Sequence, residues 1–159
     1  MGNLKPAARQ LLPLSRDLAY DIFSNFAEQT AQAIFIVDLK PVKILYINPA
    51  AQELWDVGNQ SETADLQHLI RMVHEEDREH ALEKINDYLT GHELNSVEFR
   101  ITSKDPDQWV CLTLHSREDE RGKKLQLLVI AENITRRKEY ELYLFRHNAK
   151  KNSILNNVV

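Results

Sequence analysis

The chain holds a single cysteine, Cys111, in 159 residues. No intramolecular disulfide can form, and no cysteine-cluster zinc site can be assembled. Glycine and proline are scarce, at four and five residues, which sets aside collagen-like, low-complexity and disordered chains. Long apolar runs are missing too. The longest, such as Ala33–Val37 and Leu127–Ala131, have five residues, far short of the roughly 20 that span a bilayer as a helix. No basic, apolar, small-residue leader opens the sequence, so neither secretion nor direct membrane insertion is expected and the chain is read as cytoplasmic. Catalytic signatures are also absent. There is no G-x-S-x-G, no phosphate-cradling glycine loop, no H-E-x-x-H and no C-x-x-C, so the chain itself is not expected to be an enzyme.

What is present is an ordinary globular make-up, 43% apolar and 28% charged, of a length that fits one domain with some residues to spare. The net charge of −4 hides an asymmetry. Residues 135–159 carry six basic residues against two acidic, while the first 134 carry 14 basic against 22 acidic. An acidic body repels phosphate, so nucleic acid is not an expected partner of the basic tail.

Periodicity assigns the elements. Residues 1–15 read as a loose arm. Ser15 can cap a helix over 16–31, whose Leu18, Ile22 and Phe26 recur every four residues and form one apolar stripe. Ala33–Val37 and Lys43–Asn48 read as a hairpin. Asn48-Pro49 then opens a short helix as cap and first residue, with Gly58 past its end as C-cap. Asp65 caps a second short helix carrying Leu66, Leu69, Ile70 and Val73. A longer helix spans 76–90, with Leu82, Ile85 and Leu89 inward, and Gly91 stops it. Val97, Phe99 and Ile101 alternate with Glu98 and Arg100, as a half-buried antiparallel strand does. Trp109–Ser116 and Leu125–Ile134 follow as strands, and a helix runs from 135. Helices grouped between strands of an antiparallel sheet make an α+β fold, with five strands, short helices on one face and a flanking helix at each end. Alternation places Phe35, Val37, Leu54, Leu69, Val73, Ile85, Val97, Phe99, Ile101, Leu112 and Leu114 inward. They either pack one another into a filled core or line a small-molecule pocket.

Three segments carry a family resemblance. Asn48-Pro49-Ala50-Ala51-Gln52-Glu53-Leu54-Trp55, His74-Glu75-Glu76-Asp77-Arg78 and Asn133-Ile134-Thr135-Arg136-Arg137-Lys138 resemble, in order and spacing, segments of a PAS domain. The resemblance spans residues 24–140 and implies a core domain over 32–134 and a signalling helix over 135–159. Asn133 stands where the family usually has aspartate, and Glu75 where it has proline. The tail Lys151–Val159 resembles the residues just before the phosphoacceptor histidine of a bacterial sensor histidine kinase. That likeness implies a sensor region cut just short of that histidine, in a parent that is an ATP-dependent protein-histidine phosphotransferase of a two-component system. A PAS input to another output, such as a cyclic-dinucleotide enzyme, and a stand-alone small-ligand-binding protein are the alternatives.

No cofactor is expected. The flavin-bonding relatives carry G-x-N-C-R-F-L-Q on the helical side, and nothing like it occurs here. Cys111 lies in the strand WVCLTLH and reads as a buried small apolar residue. Haem-binding relatives place their ligand histidine on the long helix, where His80 points away from Leu82, Ile85 and Leu89. Neither the histidines nor the acidic clusters are expected to hold a metal. For transmission the resemblance singles out Asn133, Ile134 and Thr135, with Thr135 as N-cap of the last helix. Arg136, Arg137 and Lys138 sit at the positive end of that helix's dipole, unfavourable by some tenths of a kcal/mol each, so packing must hold it. A weak heptad through Tyr140, Leu144, His147, Lys151, Ile154 and Val158, with the Leu18, Ile22, Phe26 stripe, suggests a parallel homodimer joined to the kinase domains of the parent chain.

Overall fold

The computed structural model describes residues 13–58, 65–94 and 96–156, with the backbone alone for 152–156. The arm up to residue 12 and the last three residues lie outside it. The order is α1 (Arg16–Gln29), β1 (Ala33–Leu39), β2 (Val42–Ile47), α2 (Pro49–Leu54), α3 (Leu66–Arg71), α4 (Glu75–Leu89), β3 (Val97–Ile101), β4 (Gln108–Glu118), β5 (Lys124–Asn133) and α5 (Thr135–Asn156). The strands form one antiparallel sheet in the order β2-β1-β5-β4-β3. The α+β architecture read from the sequence is the one observed.

Register explains which face is buried. Phe35 pairs with Val129, Leu114 with Val129, Leu112 with Ala131, and Val97 with Leu112. Partners across an antiparallel ladder point the same way, so these residues share one face, which α2, α3 and α4 cover. The opposite face carries Ile36, Cys111, Thr113 and Ile130. Cys111 is half-buried there, not sealed in the core, because its neighbours in register are Glu98 and Glu132.

Caps set the helix limits. Ser15 accepts from the Leu18 amide and Asp65 from the Gln67 amide, each satisfying a donor that the first turn leaves free. His74 caps α4 through Nδ1, which accepts from the Glu76 amide at 3.1 Å, and the acidic Glu75, Glu76 and Asp77 suit the dipole. Two expectations are corrected. The left-handed residue after α2 is Asp56, at φ 53°, one of the few residue types that tolerate that region, and Gly58 is not the cap. On α4 the sealed position is Ala81, while Leu82 is 41% exposed.

Asn48 does more than cap α2. It is fully buried, and its Oδ1 accepts from the Ile34 amide at 2.8 Å and the Ala51 amide at 2.9 Å. Its Nδ2 donates to the carbonyls of Ala27 and Gln32, both at 2.9 Å. One side chain thus ties α1, β1 and α2 together and meets all its own demands. Phe23 adds a tilted ring contact with Tyr46 at 6.3 Å. The stripe of Leu18, Ile22 and Phe26 faces away from the body and is about half exposed. Among the described residues no helix is long and apolar enough to cross a membrane.

Candidate functional site

Between the sheet and α2–α4 lies a cavity of about 450 Å³, within the range of small-molecule sites. Its floor is Phe35, Val37 and Leu39 of β1, Phe99 of β3, Leu112 and Leu114 of β4, and Leu127 and Val129 of β5. Its walls are Trp55, Leu66, Leu69, Ile70, Val73, and Arg78, Ala81, Leu82, Ile85, Asn86 and Leu89 of α4, with Val42 at the rim. Eight of the eleven residues picked by alternation line it. Three do not. Val97 and Ile101 are sealed in the core, where Ile101 bridges Val73, and Leu54 packs against the core from the side. Alternation tells which face a residue takes, not which stretch of that face is filled.

Trp55 and Arg78 stand out on the wall. Trp55 is 3% exposed, set edge-on to Phe35 at 5.1 Å. Arg78 donates through Nη2 to the carbonyls of Val73 at 3.0 Å and Arg71 at 3.2 Å, which closes the end of α3. The lining contains no histidine or cysteine among the described residues, so it offers no side chain for a haem iron or a flavin thioether bond.

The second part of the site is the corner where β3, β4 and α5 meet. β5 runs directly into α5. The Ile134 amide donates to the Trp109 carbonyl at 2.9 Å, and the Trp109 amide donates back to Thr135 Oγ1 at 2.9 Å. Thr135 is therefore a fastener to β4 and not the cap. Capping falls to Asn133, whose Oδ1 accepts from the Thr135 amide at 3.0 Å and from its hydroxyl at 2.6 Å. The Ile134 carbonyl accepts the first helical bond, from Lys138, and Ile134 is 3% exposed.

Charges surround this corner. Arg100 lies opposite Trp109 in register, with its guanidinium 5.4 Å from the ring centroid, and Lys138 Nζ lies over the same ring at 5.0 Å. Such contacts are worth about 0.5–1 kcal/mol when exposed. Lys138 and Arg137 both pair with Glu98, Arg137 at 2.7 Å. Two of the three cations that oppose the helix dipole, Arg137 and Lys138, are thus held by Glu98, and Lys138 also by Trp109. Arg100 reaches back to α4, where its Nε and backbone amide donate to Asp77 Oδ2 and its Nη2 to Asp77 Oδ1, all within 2.9 Å. The Arg100 hydrogen bonds hold the Asp77 carboxyl below the usual range, against the opposing effect of burial, and the Lys138 hydrogen bond does the same for Glu98. A continuous chain of contacts joins α4, which walls the cavity, to the first turn of α5. None of Asp77, Glu98, Arg100, Trp109 or Lys138 was marked by periodicity as more than an outward residue. Counting back evenly from a turn at 104–107 would have set Arg100 against Cys111, two residues away from the observed partner Trp109, so register counting would not have found the corner.

From residue 139 to 151 every described side chain of α5 is exposed, including Tyr140, Leu144 and Phe145. The side chain of Ile154 lies outside the described residues.

Residues 44–131 match the family model described as PAS fold. No curated protein matches the sequence significantly. Among solved structures, a sensory box histidine kinase/response regulator from Burkholderia thailandensis is similar at 16% identity and a TM-score of 0.62, over 81% of this chain and 98% of that one. A PAS domain from Colwellia psychrerythraea is similar at 19% identity and a TM-score of 0.60, over 74% and 98%. The N-terminal domain of a diguanylate cyclase with PAS/PAC sensor from Marinobacter aquaeolei gives 16% and 0.58, over 67% and 98%.

Proposed function

The chain belongs to the PAS fold family, and from that membership we propose that it is a sensory and dimerisation module that passes a signal through α5 to a histidine kinase. The observation that carries the reading is the way α5 leaves the body. A strand from the centre of the sheet continues into a helix that touches the core through its first turn and is then exposed for thirteen residues. An isolated, largely polar helix with apolar residues scattered around it is marginal in water. It needs a partner, and a second copy supplies one. Leu18, Ile22 and Phe26 present a second exposed apolar stripe, so α1 and α5 together form the proposed homodimer interface, with Leu144 and Ile154 on the α5 part. Occupancy of the cavity shifts α4, Asp77 and Arg100 carry the shift to Trp109 and Glu98, and α5 changes angle. Asn133, Ile134 and Thr135 are the hinge.

The test uses the longer signalling chain on its cytoplasmic side. Thr135→Val removes the acceptor of the Trp109 amide and is expected to change autophosphorylation while the core keeps its melting behaviour. Wild-type autophosphorylation under all conditions would overturn the transmission route. A strict monomer in sedimentation at high concentration would overturn the dimer. The cyclic-dinucleotide output has one supporting observation, the likeness to the diguanylate cyclase domain; dinucleotide synthesis in place of phosphotransfer would select it.

A further inference from the structure

The cavity presents almost no polar surface. Of its 20 lining residues only Trp55, Arg78 and Asn86 carry a polar side-chain group. Trp55 Nε1 and Arg78 Nε are buried, with essentially no accessible surface to offer a ligand. Arg78 Nη2 is engaged by the carbonyls of Val73 and Arg71, and Asn86 is exposed at the rim. The strand backbones of the floor are paired within the sheet. Water is held in a cavity by two to four polar partners, and this wall supplies few. Empty apolar space, in turn, forfeits the dispersion contacts of its lining. Engineered apolar cavities of about 150 Å³ stay dry and take up benzene. This one, at about 450 Å³, is larger and equally apolar. Val42 and Leu82 line it and are 55% and 41% exposed, so apolar side chains frame its mouth as well.

We propose that the cavity binds a neutral, hydrocarbon-like molecule, held by shape and dispersion against Phe35, Phe99, Leu114, Ile85, Leu127 and Val129, with no hydrogen bond to the protein. The proposal rests on the sensory reading for its purpose but not for its chemistry. No covalent step is involved. Two features set the selectivity. A carboxylate or an ammonium carried inside would lose its hydration and gain no partner, so charge is rejected whatever its sign. Size is the second filter, because a cavity of about 450 Å³ lies toward the lower end of the roughly 300–1,000 Å³ of small-molecule sites.

Methyl NMR titration of the whole chain with naphthalene, naphthoate and naphthylmethylammonium tests this. Naphthalene is expected to bind one to one and to move the methyl signals of Ile85, Leu114, Leu127 and Val129, leaving those of Leu18 and Ile22 on α1 in place. The two charged probes should bind about tenfold or more weakly. Val129→Phe and Leu114→Phe each add bulk to the cavity floor, and each should lose naphthalene affinity by about tenfold or more. Thermal unfolding is read for both variants, and the wild-type titration decides alone if neither folds. Unmoved cavity methyls, shifts confined to α1 or α5, equal affinity for the three probes, or unchanged naphthalene affinity in either folded variant would each overturn the proposal. If naphthalene binds with this pattern and Val129→Phe leaves autophosphorylation of the longer signalling chain unchanged, the apolar site stands and the sensory reading fails. If the Thr135→Val result holds and naphthalene does not bind, the reverse is true.

Discussion

The two helices that flank the core are fastened in different ways. α1 is held by one buried, neutral amide, Asn48, with four short hydrogen bonds to the backbone of three segments. α5 is held by two hydrogen bonds to the backbone of Trp109, one from the Ile134 amide and one accepted by Thr135 Oγ1, and by a half-exposed set of charges around Glu98, Lys138 and Arg100. A sealed amide tolerates no second arrangement, because any displacement leaves buried groups unsatisfied. Solvated ion pairs and cation–aromatic contacts each contribute little and exchange at small cost. The fastening of α1 suits a fixed platform, and that of α5 suits an element with two arrangements close in energy.

The largest effect is expected at the fixed end. Asn48→Ala strands the Ile34 and Ala51 amides and the Ala27 and Gln32 carbonyls, and should cost about 3 kcal/mol or more in urea unfolding. A cost below about 1 kcal/mol would remove the contrast between the two ends. At the other end, Arg100→Met takes three side-chain bonds from Asp77 and Glu76 and one contact from Trp109, for a loss of about 1–2 kcal/mol. The same variant carries a pH signature. Asp77 titrates lower in the folded chain than in the unfolded one, so its contribution is complete above the ordinary aspartate range, near pH 4, and is lost as the pH falls through the depressed value. Wild type should therefore lose stability on acidification below about pH 4 more steeply than Arg100→Met, as read by melting temperature against pH.

Smaller still, Thr135→Val should cost about 1 kcal/mol. Its better marker is amide exchange, faster at the Trp109 amide and the first turn of α5 and unchanged in β1. Glu98→Gln should change global stability by under about 1 kcal/mol. Salt should mimic it, because screening weakens the Glu98 pairs with Arg137 and Lys138 and leaves the Asn48 bonds untouched. Melting curves of wild type and Glu98→Gln that respond identically to salt would show that the charges do not hold α5.

How far the sequence could be read follows the same division. Period-two alternation at Val97, Phe99 and Ile101 and the cap pair Asn48-Pro49 act within a few residues, so strands and helix starts were legible. Asn48 as a cross-link was not, since Ala27 and Gln32 are brought to it by the fold. The cavity was half legible. Inward residues were named, but the choice between a filled core and a pocket depends on how α3 and α4 stand off the sheet. Asp56 in place of Gly58, and Ala81 in place of Leu82, show packing overriding local preference. The corner was least legible, because Glu98, Arg100 and Lys138 look like any solvated charges until β3, β4 and α5 converge on Trp109.

Distances between spin labels at Lys104, in the β3–β4 turn, and His147, on α5, would test this most directly. Both positions are exposed, and the measurement is made in a Cys111→Ser background with unlabelled chain in excess. The corner is predicted to hold α5 in a narrow distance distribution that shifts or broadens in Trp109→Leu and in high salt, while Asp77 and Arg100 variants move it in the same sense. An unchanged distribution in Trp109→Leu would mean that the charged corner does not set the direction in which α5 leaves the core.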